Sequence, residues 1–300
     1  MTEREHRLVE ALHAWGERSL RDLPWRRTRD PWAVLVSEAM LQQTQVARVI
    51  ERYAPFLARF PDPAAMASAP LADVLDAWAG LGYYRRARDL HRAAGAMVER
   101  HGGRVPDTLS DLTALPGIGA YTARAVLALA HEQDHGVVDT NVARVLSRAF
   151  AGAPMTASVV QRLADGIVPP GTGWLHNQTM LDLGATVCTA RAPRCADCPL
   201  ASGCAWHGSG GGADDGPPDP ALTTAGTSRP QARFEGSDRQ GRGRILAALR
   251  AADVGVAQDA LDTITGWGDG ARSRRVADAL VADGLAEWTN GARPMLRAPR

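Results

Sequence analysis

The sequence predicts an all-α fold followed by a small separate C-terminal domain, and three observations predict it. From Glu3 to about Trp206 apolar residues recur at three- and four-residue spacing, as in Val34, Leu35 and Leu41 around Glu38, and again in Val142, Val145, Leu146 and Ala149. Short helix-breaking pairs and triplets separate these stretches: Asp30-Pro31, Pro61-Asp62-Pro63, Gly102-Gly103, Pro116-Gly117 and Pro169-Pro170-Gly171. No segment of this region alternates as a strand.

The elements follow in order. Asp30 reads as an N-cap with Pro31 at the first helical position, opening a helix through about Gln42. Glu38 lies on it among Val34, Leu35, Met40 and Leu41; an acid on such an apolar helix is expected to hold its proton well above the usual carboxylate range. The alternative is a glutamate at the edge of the apolar face with its carboxylate in water. Leu115-Pro116-Gly117-Ile118-Gly119 lies between two helical stretches. Gly117 and Gly119 allow a tight turn with outward N–H groups, which with the next helix's dipole can hold a phosphate. The same string is also an ordinary helix–helix turn. Asp139 precedes a helix as an N-cap, where amides and dipole are expected to keep its carboxylate ionised.

Residues 208–240, with Gly208-Ser209-Gly210-Gly211-Gly212 and Pro217-Pro218, read as a flexible linker. Beyond it, residues 245–250, 257–264 and 273–280 read as short amphipathic helices, and Leu285 to Leu296 as a hairpin around Asn290-Gly291. The expected division is 1–207, linker 208–240, and 241–300 as a small winged-helix-like domain; a helical tail without a wing is the alternative. Arg272, Arg274 and Arg275 are placed to touch phosphates or to form a solvated helix start.

Composition narrows the chemistry. Formal net charge is only +1, so any basic surface is local. All 34 basic residues are arginine; the chain has no lysine. No run reaches a membrane span and no targeting signal is visible, so a monomer in the cytoplasm is the default expectation. The four cysteines, Cys188, Cys195, Cys198 and Cys204, are spaced C-x6-C-x2-C-x5-C within one loop. Such a cluster points to metal ligation rather than disulfides. A [4Fe–4S] cluster suits the unequal spacing, and zinc remains open on chemistry alone.

Several motifs in order resemble MutY-type adenine DNA glycosylases of the helix-hairpin-helix, iron–sulfur superfamily of endonuclease III, in a short form of the actinobacterial kind. They are Leu23-Pro24-Trp25-Arg26, Val36-Ser37-Glu38-Ala39-Met40-Leu41-Gln42-Gln43-Thr44-Gln45-Val46, Gly80-Leu81-Gly82-Tyr83-Tyr84-Arg85, the Gly117/Gly119 hairpin, Val138-Asp139-Thr140-Asn141-Val142 and the cysteine loop. The resemblance covers about residues 4–207. It implies a two-lobed helix-hairpin-helix glycosylase fold, a structural [4Fe–4S] cluster, and double-stranded DNA with A·8-oxoguanine or A·G mispairs as partner. It implies Glu38 as proton donor to a flipped adenine and Asp139 as partner of the sugar cation, with Tyr121 and Asn141 beside them. It further implies Trp25, Arg26 and Asp182 around adenine, and Gln43 and Tyr83 wedged beside the opposing purine; a core aromatic is the alternative for Tyr83. Bifunctional relatives carry a lysine where Tyr121 stands, so no strand cleavage is expected. Two departures matter: some 60 C-terminal residues are too few for the family's usual Nudix-like domain, and their pattern is helical. A T·G-specific thymine glycosylase on the same scaffold and a non-catalytic DNA-binding module are the competing readings.

Overall fold

The computed structural model describes residues 1–227, 233–252, 254–291 and 293–299. They fall into two compact units. The first comprises Met1–Glu38, Pro106–Ala114 and Ile118–Arg229, the second Ala39–Val105, Leu115–Gly117 and Pro230–Arg300.

The first unit is built on α11 (Gly173–Thr186), against which α1 (Glu3–Ser19), α8 (Ala120–Leu129) and α9 (Thr140–Val145) pack. Leu8 and Leu12 of α1, Val142 of α9 and Met180 and Leu183 of α11 meet in its core. The α1–α11 approach depends on Gly16, where a Cβ would lie 2.2 Å from the Thr179 hydroxyl oxygen. α1 starts with a full capping box, Thr2 with Glu5. α2 (Pro31–Leu41) starts as expected, with the Asp30 carboxylate accepting from the Trp32 amide at 3.1 Å. Its residues Trp32 to Met40 are buried without a break, so it is enclosed on all sides rather than amphipathic. α9 continues as a π-helical turn, Leu146–Ala151.

In the second unit α4 (Pro63–Ser68) and α5 (Leu71–Ala77) pack on α6 (Arg85–His101), over a core that includes the edge-to-face pair Phe56–Trp78. The C-terminal residues of this unit form α13 (Asp238–Ala251), α14 (Leu261–Thr265), α15 (Gly270–Ala282) and a three-stranded antiparallel sheet. Its strands β1 (Val256–Ala257), β2 (Glu287–Trp288) and β3 (Met295–Arg297) lie in the order β1-β3-β2, with Leu296 paired to both Val256 and Trp288 and fully buried. This C-terminal part thus holds three helices, a strand before the second and two paired strands after the third. The expected helices and hairpin are present; β1 was not visible as a strand.

One expectation needs correction. The stretch read as a linker is folded up to Thr227: Pro220, Ala221 and Thr224 are buried, and Asp219 pairs with Arg148. Its glycines and prolines shape turns that pack, and its remaining residues 228–232 lie outside the described ones. Arg272 and Arg274 are engaged within the chain: Arg272 pairs with Asp238 at 2.7 Å and stacks on Trp267, and Arg274 pairs with Asp278 and stacks on Trp288. Arg275 is exposed.

Candidate active site

Glu38 is 5% exposed on the enclosed helix α2. Its carboxylate accepts the Tyr121 hydroxyl hydrogen bond and feels Asp139 and Arg26. Burial raises it from an ordinary 4.5 to about 7; the Tyr121 bond opposes this, the Asp139 charge reinforces it, and Arg26 opposes it. The apolar setting predicted from sequence is therefore present, and the solvent-edge alternative is not. Tyr121 occupies the first turn of α8, and burial followed by the Glu38 and Asp139 charges pushes its phenol well above the usual range.

Asp139 caps α9. Its Oδ1 accepts from the amides of Asn141 at 2.8 Å and Val142 at 2.7 Å, and its Oδ2 from Asn141 Nδ2 at 2.8 Å. These three donors favour the anion, yet burial outweighs them and the carboxyl lies above its ordinary value. Helix-end stabilisation alone, the basis of the expectation, is not the largest influence here. The Asn141 side-chain Oδ1 accepts from Arg144 Nη2 at 2.8 Å, and Arg144 continues to the Cys188 and Gly184 backbone carbonyls, both at 2.7 Å. One helical turn on, in the π-helical segment, Arg148 reaches the Thr189 carbonyl at 2.7 Å and lies 3.5 Å from Cys188 Sγ. Burial works against its charge, but Asp219 and Cys188 hold the proton above the ordinary arginine range.

Asp182 is fully buried on α11 and receives a bidentate Arg26 guanidinium, both bonds at 2.7 Å, and the Arg21 amide and side chain. Burial would raise it; Arg26 and Arg21 overcome that and lower it. Arg26 Nε is buried without a hydrogen-bond partner among the described residues. Trp25 is buried beside it in sequence, in the short Pro24–Arg26 turn.

The four cysteines are free and half-buried, and all line one pocket with Val145, Leu183 and Leu200. Burial, followed by the other thiols, raises Cys195, Cys204 and Cys198, the last to about 11. Packed thiols that cannot ionise together are a poor resting arrangement and a good cation site.

In the second unit, Gln43 and Tyr83 both hold left-handed backbone, φ 57° and 47°, unusual for residues with a Cβ. Arg86 ties their turns together. Its Nη1 donates to the Ala39, Met40 and Gln42 carbonyls, and its Nη2 to the Leu81 and Gly82 carbonyls and the Thr44 hydroxyl, all within 3.1 Å. Burial lowers its pKa to about 10. Tyr83 is half-buried, and Gln43 is exposed. Gly117 has φ 73°, where a Cβ would lie 2.5 Å from Asp89 Cβ; Gly119 has ordinary backbone and caps α8.

The structure thus brings Glu38, Tyr121, Asp139 and Asn141 into one linked set within the first unit, with Arg26 acting on Glu38 and pairing with Asp182. Sequence reasoning missed Arg86, Arg144 and Arg148. Two arginines four apart on the apolar run Val142–Phe150 were the available signal, because buried guanidiniums require acceptors.

Residues 36–170 match the family of HhH-GPD superfamily base excision DNA repair proteins. The chain is 45% identical to the adenine DNA glycosylase of Mycobacterium tuberculosis over 297 residues, covering 94% of this chain and 91% of that one. It is 37% identical to the thymine-DNA glycosylase of Aeropyrum pernix over 209 residues, covering 67% and 92%. A solved thermostable thymine-DNA glycosylase superposes with a TM-score of 0.64 at 27% identity, covering 69% of this chain and 97% of that one. The mycobacterial similarity runs beyond the helical core into the C-terminal domain, and on this evidence the chain belongs to the MutY-type adenine DNA glycosylases of the HhH-GPD superfamily.

Proposed function

We propose that this adenine DNA glycosylase of base excision repair removes adenine paired with 8-oxoguanine or guanine, by hydrolysis and without cleaving the strand. The observation that carries the reading is the buried Glu38, neutral up to about pH 7, hydrogen-bonded to Tyr121 and set against an Asp139 that receives three N–H donors. Two neighbouring carboxyls do not ionise equally, and the donors direct the charge to Asp139 and the proton to Glu38.

The adenine must leave the stack to reach these groups. Glu38 gives its proton to N7 of the flipped base, so the C1′–N9 bond breaks with the electron pair leaving on adenine. The Asp139 carboxylate stabilises the sugar cation, water adds at C1′, and its released proton returns to Glu38. Asn141 holds Asp139 in place. Trp25 and the Arg26–Asp182 pair line the base pocket, with Arg26 Nε the donor still unused. Gln43 and Tyr83 flank the opposing purine, and the Gly117–Gly119 hairpin holds a phosphate. Tyr121 stands two residues after Gly119 and the chain has no lysine, so no Schiff base forms and the abasic site stays intact.

Cys188, Cys195, Cys198 and Cys204 would hold a [4Fe–4S] cluster, which supplies a cross-link tying the loop into a fixed shape. All four thiols line one pocket among apolar side chains, a four-thiolate donor set that suits such a cluster. The purified protein is expected to be coloured and to carry iron; a colourless, zinc-loaded protein contradicts the assignment. Among the described residues no helix is long and apolar enough to cross a membrane. The reading places the enzyme in the cytoplasm as a monomer on DNA, with a winged-helix-like domain at 241–300 after catalytic residues 1–207.

Replacing Glu38 with Gln tests the mechanism. Adenine release is expected to fall by about 10²–10⁴-fold, with duplex binding retained. Unchanged release would remove Glu38 from the chemistry.

A further inference from the structure

The backbone of Tyr83 is locked by Arg86, and its side chain is held by a different part of the chain. Arg239, near the start of α13, donates from Nη1 to the Tyr83 hydroxyl at 3.0 Å. Eleven residues on, about three turns along one face of the same helix, Arg250 donates to the Tyr84 hydroxyl at 2.9 Å. Both adjacent tyrosines are therefore held through their hydroxyls by arginines of a C-terminal helix.

The turn that leads into α13 is itself fixed. The Ser237 amide and hydroxyl both donate to the Phe234 carbonyl, and the Ser237 oxygen accepts from the Gln240 amide as the helix cap. The Gly236 carbonyl accepts from Arg272 at 2.8 Å, and Arg272 also pairs with Asp238. This turn presents Phe234, 58% exposed, with the Arg239 guanidinium 5.9 Å from its ring centroid. Arg239 thus lies between a fixed, exposed aromatic and the tyrosine hydroxyl.

We propose that Arg239 is a positioning residue for Tyr83, and that the C-terminal domain sets the enzyme's opposite-base preference through it. The inference rests on the reading of Tyr83 as a group that flanks the opposing purine. A ring pinned at its hydroxyl presents one shape to that purine, whereas a ring free to turn adapts to either. The short domain thereby acts on recognition through one hydrogen bond.

The test is single-turnover adenine release from A·8-oxoguanine and A·G duplexes by the full chain and its Arg239→Ala, Tyr83→Phe, double and Tyr83→Leu variants. Arg239→Ala is expected to lower the ratio of release opposite 8-oxoguanine to release opposite guanine by about tenfold, the scale of one charge-assisted hydrogen bond. Tyr83→Phe should lower it equally, and the double variant no further. An unchanged ratio in Arg239→Ala and Tyr83→Phe, with a shifted one in Tyr83→Leu, overturns the proposal. Equal losses on both duplexes with a lowered melting temperature overturn it too, by reducing the contact to domain docking. No shift even in Tyr83→Leu removes the underlying reading of Tyr83 and the proposal with it.

Discussion

Burial at single residues is the force that sets this chemistry. Glu38 is held at about 7 because an enclosed helix leaves its anion little but one hydroxyl to bond, and this displacement has a stability consequence. The folded chain binds the Glu38 proton more tightly than the unfolded chain does. That contribution is therefore complete below the ordinary 4.5 and is lost as pH rises through about 7, amounting to about 3 kcal/mol well above it. Glu38→Gln carries no such penalty, so its melting temperature should gain on the parent's between pH 5 and pH 8. A difference that stays constant over that range would mean that Glu38 is not a buried, proton-holding acid. Glu38 was legible through the family resemblance of its motif, since the apolar Val34, Leu35, Met40 and Leu41 alone left a glutamate with its carboxylate in water as the alternative. The Arg26–Asp182 pair was not legible as a pair, since 156 residues separate the partners and only the packing of the chain brings them together.

Helix ends carry a second layer of the design. Asp139 serves both as N-cap of α9 and as candidate partner of the sugar cation, and the two roles are separable. Asparagine caps helices as well as aspartate but lacks the charge. Asp139→Asn is therefore expected to change stability by less than about 1 kcal/mol while lowering adenine release by at least about a hundredfold. Equal losses of folding and rate would make the residue a cap and nothing more. The helices of residues 1–207 were legible because their apolar period and their breakers agree. Strand β1 was not, because two residues are too few to show an alternation. The stretch 208–227 misled for a related reason: glycine and proline signal turns, and whether turns stay in solvent or pack depends on partners such as Arg148, far away in the sequence.

For the whole molecule, the proposed chemistry falls to residues of the first unit. Within the second unit, α13 contributes the arginines that hold Tyr83 and Tyr84. The C-terminal helices were legible from three amphipathic stretches. The engagement of α13 with the tyrosines was not, because the pairing of arginine with a neutral hydroxyl leaves no charge pattern to read. The most direct test of the central claim is single-turnover base release from duplexes with A opposite 8-oxoguanine, guanine or thymine, alongside a T·G mismatch. Adenine released opposite 8-oxoguanine and guanine, with A·T and T·G left intact and the strand uncut, is the predicted result. Thymine released from T·G, or adenine released equally from A·T, would contradict it.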